Sequence, residues 1–161
     1  MSGPMFQKVA FIGIGLIGSS LARVMIRDKL AGKITACARS QKTLDAVKRL
    51  KLANSVTDDP VDAVKDADLI VLATPLSAYA EIGKRIAPAL KPGAIVTDVG
   101  SVKQAVIKDL KPVLPKGVFL VPGHPVAGTE FSGPEKGFAE LFQDRWCILT
   151  PIPGGDAAAV E

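Results

Sequence analysis

The sequence predicts an α/β fold, a mostly parallel sheet with helices on both faces, and three observations carry that prediction. Short apolar runs, Val9–Ile14 and Leu69–Ala73 among them, alternate with stretches of helical period. Runs apolar on both faces are what strands buried between helix layers require. Gly and Pro punctuate the changes, as in Lys91-Pro92-Gly93 and Pro122-Gly123. The first apolar run also passes directly into a glycine-rich turn and then a helical pattern, Gly13-x-Gly15-x-x-Gly18.

That turn is the dinucleotide-binding fingerprint of a Rossmann-type domain, and its glycines differ in purpose. Gly13 permits the tight turn out of the strand. Gly15 lets the backbone approach a pyrophosphate, and Gly18 lets the helix pack close to the sheet. Leu16, Ile17 and Gly18 open the helix, so their free N–H groups and the positive end of its dipole face the phosphates. The alternative is a glycine turn that merely joins strand to helix.

Taken in order, Lys8–Ile14 is a strand and Leu16–Lys29 a helix, with Gly32 as its C-cap. Lys33–Ala38 is the second strand. An acid about 20 residues past the glycines would hold the ribose 2′-hydroxyl of NAD. Here stand Arg39, Ser40, Gln41 and Lys42, with no acid before Asp45. Arg39 could pair with a 2′-phosphate and Ser40 could hydrogen-bond it, which favours NADP over NAD. In the competing reading Arg39 stacks on the adenine and both cofactors bind. Ser40 also reads as the N-cap of a helix running to Leu50. Leu52–Asp59 is a connection of open structure, and Pro60 starts a short helix, Val61–Lys65.

The strand Asp68–Ala73 ends at Thr74, Pro75 and Leu76. Ligands in open α/β sheets bind outside the carboxyl ends of strands, so these residues would line the cofactor groove. Equally, Pro75 could simply start the next helix, Ser77–Leu90. Ala94–Asp98 is a strand, followed by a helix to Leu110. Ser101 stands where an N-cap belongs and also at a strand's carboxyl end, where a substrate would lie. Lys103 reads as a solvated helix residue. Val118–Val121 is a further strand. His124, the one histidine, lies in the Pro/Gly-rich loop beyond it. A solvated loop histidine is the default, but this location points to catalysis. Glu135–Leu141 is helical in pattern and Trp146–Thr150 a last strand. Asp156 would cap the helical turn 157–161.

With 48% hydrophobic and 22% charged residues over 161, the chain is a soluble globular domain with at most a fragment of a second. The net charge of +4 suits anionic small molecules. Lys and Arg are dispersed and aromatics are 5%, which argues against nucleic acid. Cys37 and Cys147 read as buried free thiols in strands. A single His and two separated Cys make no metal site. Met1–Lys8 has no secretory pattern and no run nears the ~20 apolar residues of a membrane span, so a cytoplasmic protein with no membrane partner is expected.

Three motifs in this order, Gly13-Ile14-Gly15-Leu16-Ile17-Gly18-Ser19-Ser20, Asp98-Val99-Gly100-Ser101-Val102-Lys103 and His124-Pro125-Val126-Ala127-Gly128-Thr129-Glu130, resemble the prephenate/arogenate (cyclohexadienyl) dehydrogenase family. The third, followed by Ser132-Gly133, is the most specific. The resemblance implies an NAD(P)-binding Rossmann domain over residues 1–152. Residues 153–161 would begin the connection to an absent helical domain, which forms a homodimer and supplies an arginine for a substrate carboxylate. It further implies oxidative decarboxylation of prephenate or arogenate in tyrosine biosynthesis, with hydride passing from C4 of the ring to NAD(P)+. Ser101, His124, Thr129 and Glu130 would then line the substrate site. His124 would receive the ring hydroxyl's developing charge or proton, and Ser101 would orient it. A β-hydroxyacid dehydrogenase is the competing enzyme, disfavoured because a histidine loop takes the catalytic position. The competing non-enzyme is a dinucleotide-binding sensor.

Overall fold

A computed structural model describes residues 3–161. In chain order the elements are β1 (Phe6–Ile12), α1 (Leu16–Arg27), β2 (Ala31–Cys37), α2 (Gln41–Arg49), β3 (Ser55–Thr57), α3 (Pro60–Val64) and β4 (Leu69–Leu72). There follow α4 (Tyr79–Ile86), β5 (Ile95–Asp98), α5 (Lys103–Leu110), β6 (Phe119–Val121), β7 (Gly123–Pro125) and β8 (Cys147–Leu149). The first six strands form one parallel sheet in the order β3-β2-β1-β4-β5-β6. The order reverses beside β1, which is the switch point where such sheets bind ligands. β7 and β8 form a separate antiparallel pair. The α/β reading therefore holds.

Alternation along the strands builds two cores. Ala10, Ile12, Ile70, Leu72 and Val96 face α3, α4 and α5, where Ala63, Tyr79, Ile86, Val106 and Leu110 are buried. Val9, Phe11, Ile34 and Val71 face α1 and α2 through Ala22 and Val47. Each large side chain so buried contributes about 1.5–3 kcal/mol.

Several boundaries differ from the sequence reading. Gly32 lies inside β2, not at a helix end. α1 is closed instead by Lys29, at φ 55, with Leu30 N–H donating to the Met25 carbonyl. The open connection holds β3, and Asp59 caps α3 through the Val61 N–H. Ser101 does not cap α5: Val102 holds that position, with no side-chain cap. In place of a helix over Glu135–Leu141 stand two 3-10 turns, Pro134–Lys136 and Ala139–Phe142, separated at Gly137. Asp156 does accept from the Ala159 N–H, in a turn and not an α-helix.

The cysteine reading is half right. Cys37 is buried, and that burial pushes its thiol up to about 11, with Asp59 and Asp58 adding to it. Cys147 is exposed. Partial desolvation still raises its thiol, opposed by the His124 N–H and the charge of Lys103. At pH 8 a pKa near 11 leaves roughly one Cys37 in 1,000 ionised. A thiol reagent at pH 8 should therefore label Cys147 alone in the folded chain, and Cys37 only after unfolding. Peptide mapping of the labelled protein checks this.

Candidate functional site

The site is built on the carboxyl edge of the sheet. Gly13 turns out of β1 at φ 88, a conformation that disfavours side chains. A Cβ there would also lie 2.7 Å from the Ala73 carbonyl carbon. Gly18 is nearly as tight, its Cβ position lying 2.9 Å from the Gly13 carbonyl oxygen. Gly15 is different: a Cβ would meet nothing within 4 Å. The fold does not need that glycine, but a ligand approaching the backbone would. Gly15 is also the N-cap of α1, with no side-chain cap and no acid in the first turn. The first helical bond to Gly15 comes from Ser19, so the N–H groups of Leu16, Ile17 and Gly18 have no backbone acceptor among the described residues. These residues fit the pyrophosphate of a dinucleotide.

Arg39 and Ser40 follow β2, exposed on the same edge. Ser40 Oγ accepts from the Thr43 N–H at 3.5 Å, so its capping role is real and long. Thr74, Pro75 and Leu76 follow β4, and Ala73 N–H donates to the Ile12 carbonyl, drawing this end against the glycine turn.

At the end of β5 the side chain of Asp98 is fully buried. Its Oδ2 accepts from Gly100 N–H at 2.9 Å and from Lys103 Nζ at 2.5 Å, with Tyr79 Oη at 3.5 Å. Its Oδ1 accepts from Gly123 N–H at 3.1 Å. Lys103 Nζ donates in turn to the Gly123 carbonyl at 2.5 Å. Tyr79 donates to the Leu72 carbonyl, and its phenol is raised by burial and then by the Asp98 charge. Lys103, read from sequence as solvated, has a side chain only 12% exposed. The sequence signal for it was an acid closing a buried strand five residues before a lysine. Removing either charge would leave the other buried and unpaired, a loss of about 3–5 kcal/mol.

Ser101 is exposed and directly follows Gly100. His124 directly follows Gly123, in the short strand β7 and not in a loop, opposite Ile148 of β8. It is half-buried, and its imidazole has no hydrogen-bond partner among the described residues. Thr129 and Glu130 lie further along an exposed stretch, where Thr129 Oγ1 accepts from the Phe131 N–H at 3.1 Å. The segment beyond is clasped to α1. Phe138 N–H donates to Ser20 Oγ at 3.1 Å, and Arg23 donates to the Pro134 carbonyl at 3.1 Å. Gly137 sits so close to α1 that a Cβ would lie 2.1 Å from Ser19 Oγ, and its extended backbone (φ -70, ψ 154) separates the two 3-10 turns.

Residues 21–161 match the family described as "Prephenate dehydrogenase, nucleotide-binding domain". The chain is 45% identical over 155 residues to the cyclohexadienyl dehydrogenase of Zymomonas mobilis, covering 96% of this chain and 53% of that protein. It is similar to the crystal structure of A. aeolicus prephenate dehydrogenase in complex with hydroxyphenyl propionate and NAD+ (TM-score 0.87, 32% identity, 96% of this chain and 54% of that one). It is likewise similar to Synechocystis arogenate dehydrogenase (TM-score 0.85, 30% identity, 94% and 52%). The chain thus spans about half the length of these relatives.

The two glycines should separate in experiment. Gly13→Ala combines an unfavourable φ with a backbone collision, and should cost roughly 3 kcal/mol in urea unfolding. Gly15→Ala should change stability by less than about 1 kcal/mol yet weaken dinucleotide binding at least tenfold, about 1.4 kcal/mol, in calorimetric titration.

Proposed function

The chain belongs to the prephenate dehydrogenase family, through its nucleotide-binding domain, and from that premise we propose that it is the cofactor-binding and partly catalytic half of an enzyme that oxidatively decarboxylates prephenate or arogenate. One observation carries the reading. The uncapped start of α1, the Thr74–Leu76 end of β4 and Ser101 after β5 lie along the carboxyl edge of the parallel sheet in the strand order β1-β4-β5, and His124, in the separate strand β7, follows the carboxyl end of the next strand, β6. Arg39 at β2 and Ser101 at β5 are three strand steps apart, about 14 Å. A stretched dinucleotide spans such a distance.

In this reading Gly13, Gly15, Leu16, Ile17 and Gly18 hold the pyrophosphate, and Thr74, Pro75 and Leu76 line the groove. Arg39 and Ser40 take a 2′-phosphate, which makes NADP the favoured cofactor. The bound nicotinamide supplies a hydride acceptor. His124 takes the proton of the ring hydroxyl as the ring C–H bond is lost, and returns it to the same oxygen once carbon dioxide has left and the ring is aromatic. An imidazole without another protein partner is available for both transfers. Ser101 hydrogen-bonds the imidazole or the hydroxyl. Thr129 and Glu130 contact the rest of the substrate. A helical domain completes the site and makes the whole protein a homodimer. The setting is the cytoplasm, and the partners are small molecules, with no nucleic acid or membrane among them. The histidine in the catalytic position argues against a β-hydroxyacid dehydrogenase, and a dinucleotide sensor would bind the cofactor with no turnover even with the helical domain supplied.

In a protein carrying this chain together with the helical domain, His124→Ala should lower turnover at least about 100-fold while the dinucleotide Kd stays nearly constant. Near-normal turnover removes His124 from the reaction. Arg39→Asp should shift the preference from NADP towards NAD by about tenfold or more. Unchanged relative affinities, measured by titration of both cofactors, would sink the 2′-phosphate assignment.

A further inference from the structure

We propose that the Asp98–Lys103 ion pair is a positioning device for Ser101 and His124, gripping the backbone immediately before each and so setting their mutual geometry. This rests on the dehydrogenase reading above. Asp98 is the last residue of β5 and Lys103 the first of α5. One carboxylate receives both the Gly100 N–H and the Gly123 N–H. Lys103 Nζ bridges that carboxylate to the Gly123 carbonyl. Gly123 is therefore held by both its N–H and its C=O, and His124 begins at the next peptide unit. Ser101 begins one peptide unit beyond Gly100.

Two further observations fit positioning and not mere cohesion. A Cβ on Gly100 would lie 3.0 Å from Asp98 Oδ2, and one on Gly123 would lie 3.0 Å from the Asp98 carbonyl oxygen. Both joints thus close down on the same residue. Also, buried ion pairs seldom stabilise more than apolar residues of the same volume. Leu72, Val96, Val106 and Leu110 are fully buried in the same core, so apolar side chains pack well in this part of the fold. Neither Asp98 nor Lys103 is assigned a contact with substrate or cofactor. They act through the residues they hold.

The test uses Lys103→Met, Lys103→Arg and the double variant Asp98→Asn/Lys103→Met. The double variant removes both charges, so it should fold even where the single Met variant does not. In this chain, 15N relaxation should show loss of backbone order at Gly100, Ser101, Gly123 and His124, with β1, β2 and the glycine turn unchanged. Lys103→Arg should keep that order. In the enzyme carrying the helical domain, the double variant should lose turnover by on the order of 10²-fold, the effect of a misplacement of about 1 Å. Its KM and dinucleotide Kd should stay within about threefold. Loss of order spread evenly over the sheet, or wild-type turnover in the double variant, overturns the proposal. If the unaltered enzyme oxidises neither prephenate nor arogenate, the functional reading fails, and the relaxation data still decide whether the pair holds these residues.

Discussion

A buried carboxylate must be satisfied by its surroundings, and in this chain the carboxylate of Asp98 dictates how three segments meet. Its bonds reach Gly100 in its own loop, Lys103 on α5, and Gly123 beyond β6. Tyr79 on α4 lies beside it, with its hydroxyl bound to the end of β4. The exposed ion pairs elsewhere, such as Arg27–Asp28 and Lys65–Asp62, are worth little. The buried pair costs desolvation and returns geometry. Its donors include the backbone N–H groups of Gly100 and Gly123, so it fixes where the chain runs after two neighbouring strands.

The other half of the edge follows from what is absent. α1 begins without a side-chain cap, so its first N–H groups are left open to water or to a ligand from outside the chain. Gly13 and Gly18 make the turn tight enough to aim them, and Gly15 leaves the approach clear. The same helix anchors the long excursion between β7 and β8 through Ser19, Ser20 and Arg23. The residues after His124 are thereby tied to α1, the helix that follows the glycine turn. Ser19 and Ser20 are fully buried to make that junction.

Much of this was legible in the sequence because it is local. The β1–turn–α1 unit, the buried strand β4 and the Ser40 cap are each written in one contiguous stretch of sequence. What could not be read depends on distant partners. Lys103 looks solvated in its helix because its acceptors are on Asp98 and Gly123. β7 has three residues and gains its strand character only from β8, so His124 reads as loop. Cys147 alternates like a buried strand residue, yet β8 is exposed along its whole length. The helical period of Glu135–Leu141 is interrupted at Gly137, which is extended and packs where α1 leaves no room for a side chain. Ser101 follows the local rule for an N-cap, but α5 starts at Lys103 with Val102 in the cap position and no side-chain cap.

If the glycine turn and His124 belong to one dinucleotide site, a bound dinucleotide is felt at both. The chain contains a single histidine, so its imidazole signal is unambiguous in a proton–carbon NMR spectrum. Titrating NADP+ or NAD+ into the labelled chain should move that signal and the amides of Gly13, Gly15 and Gly18 saturably, with one common Kd. A histidine signal that stays fixed while the glycine amides saturate would contradict the account.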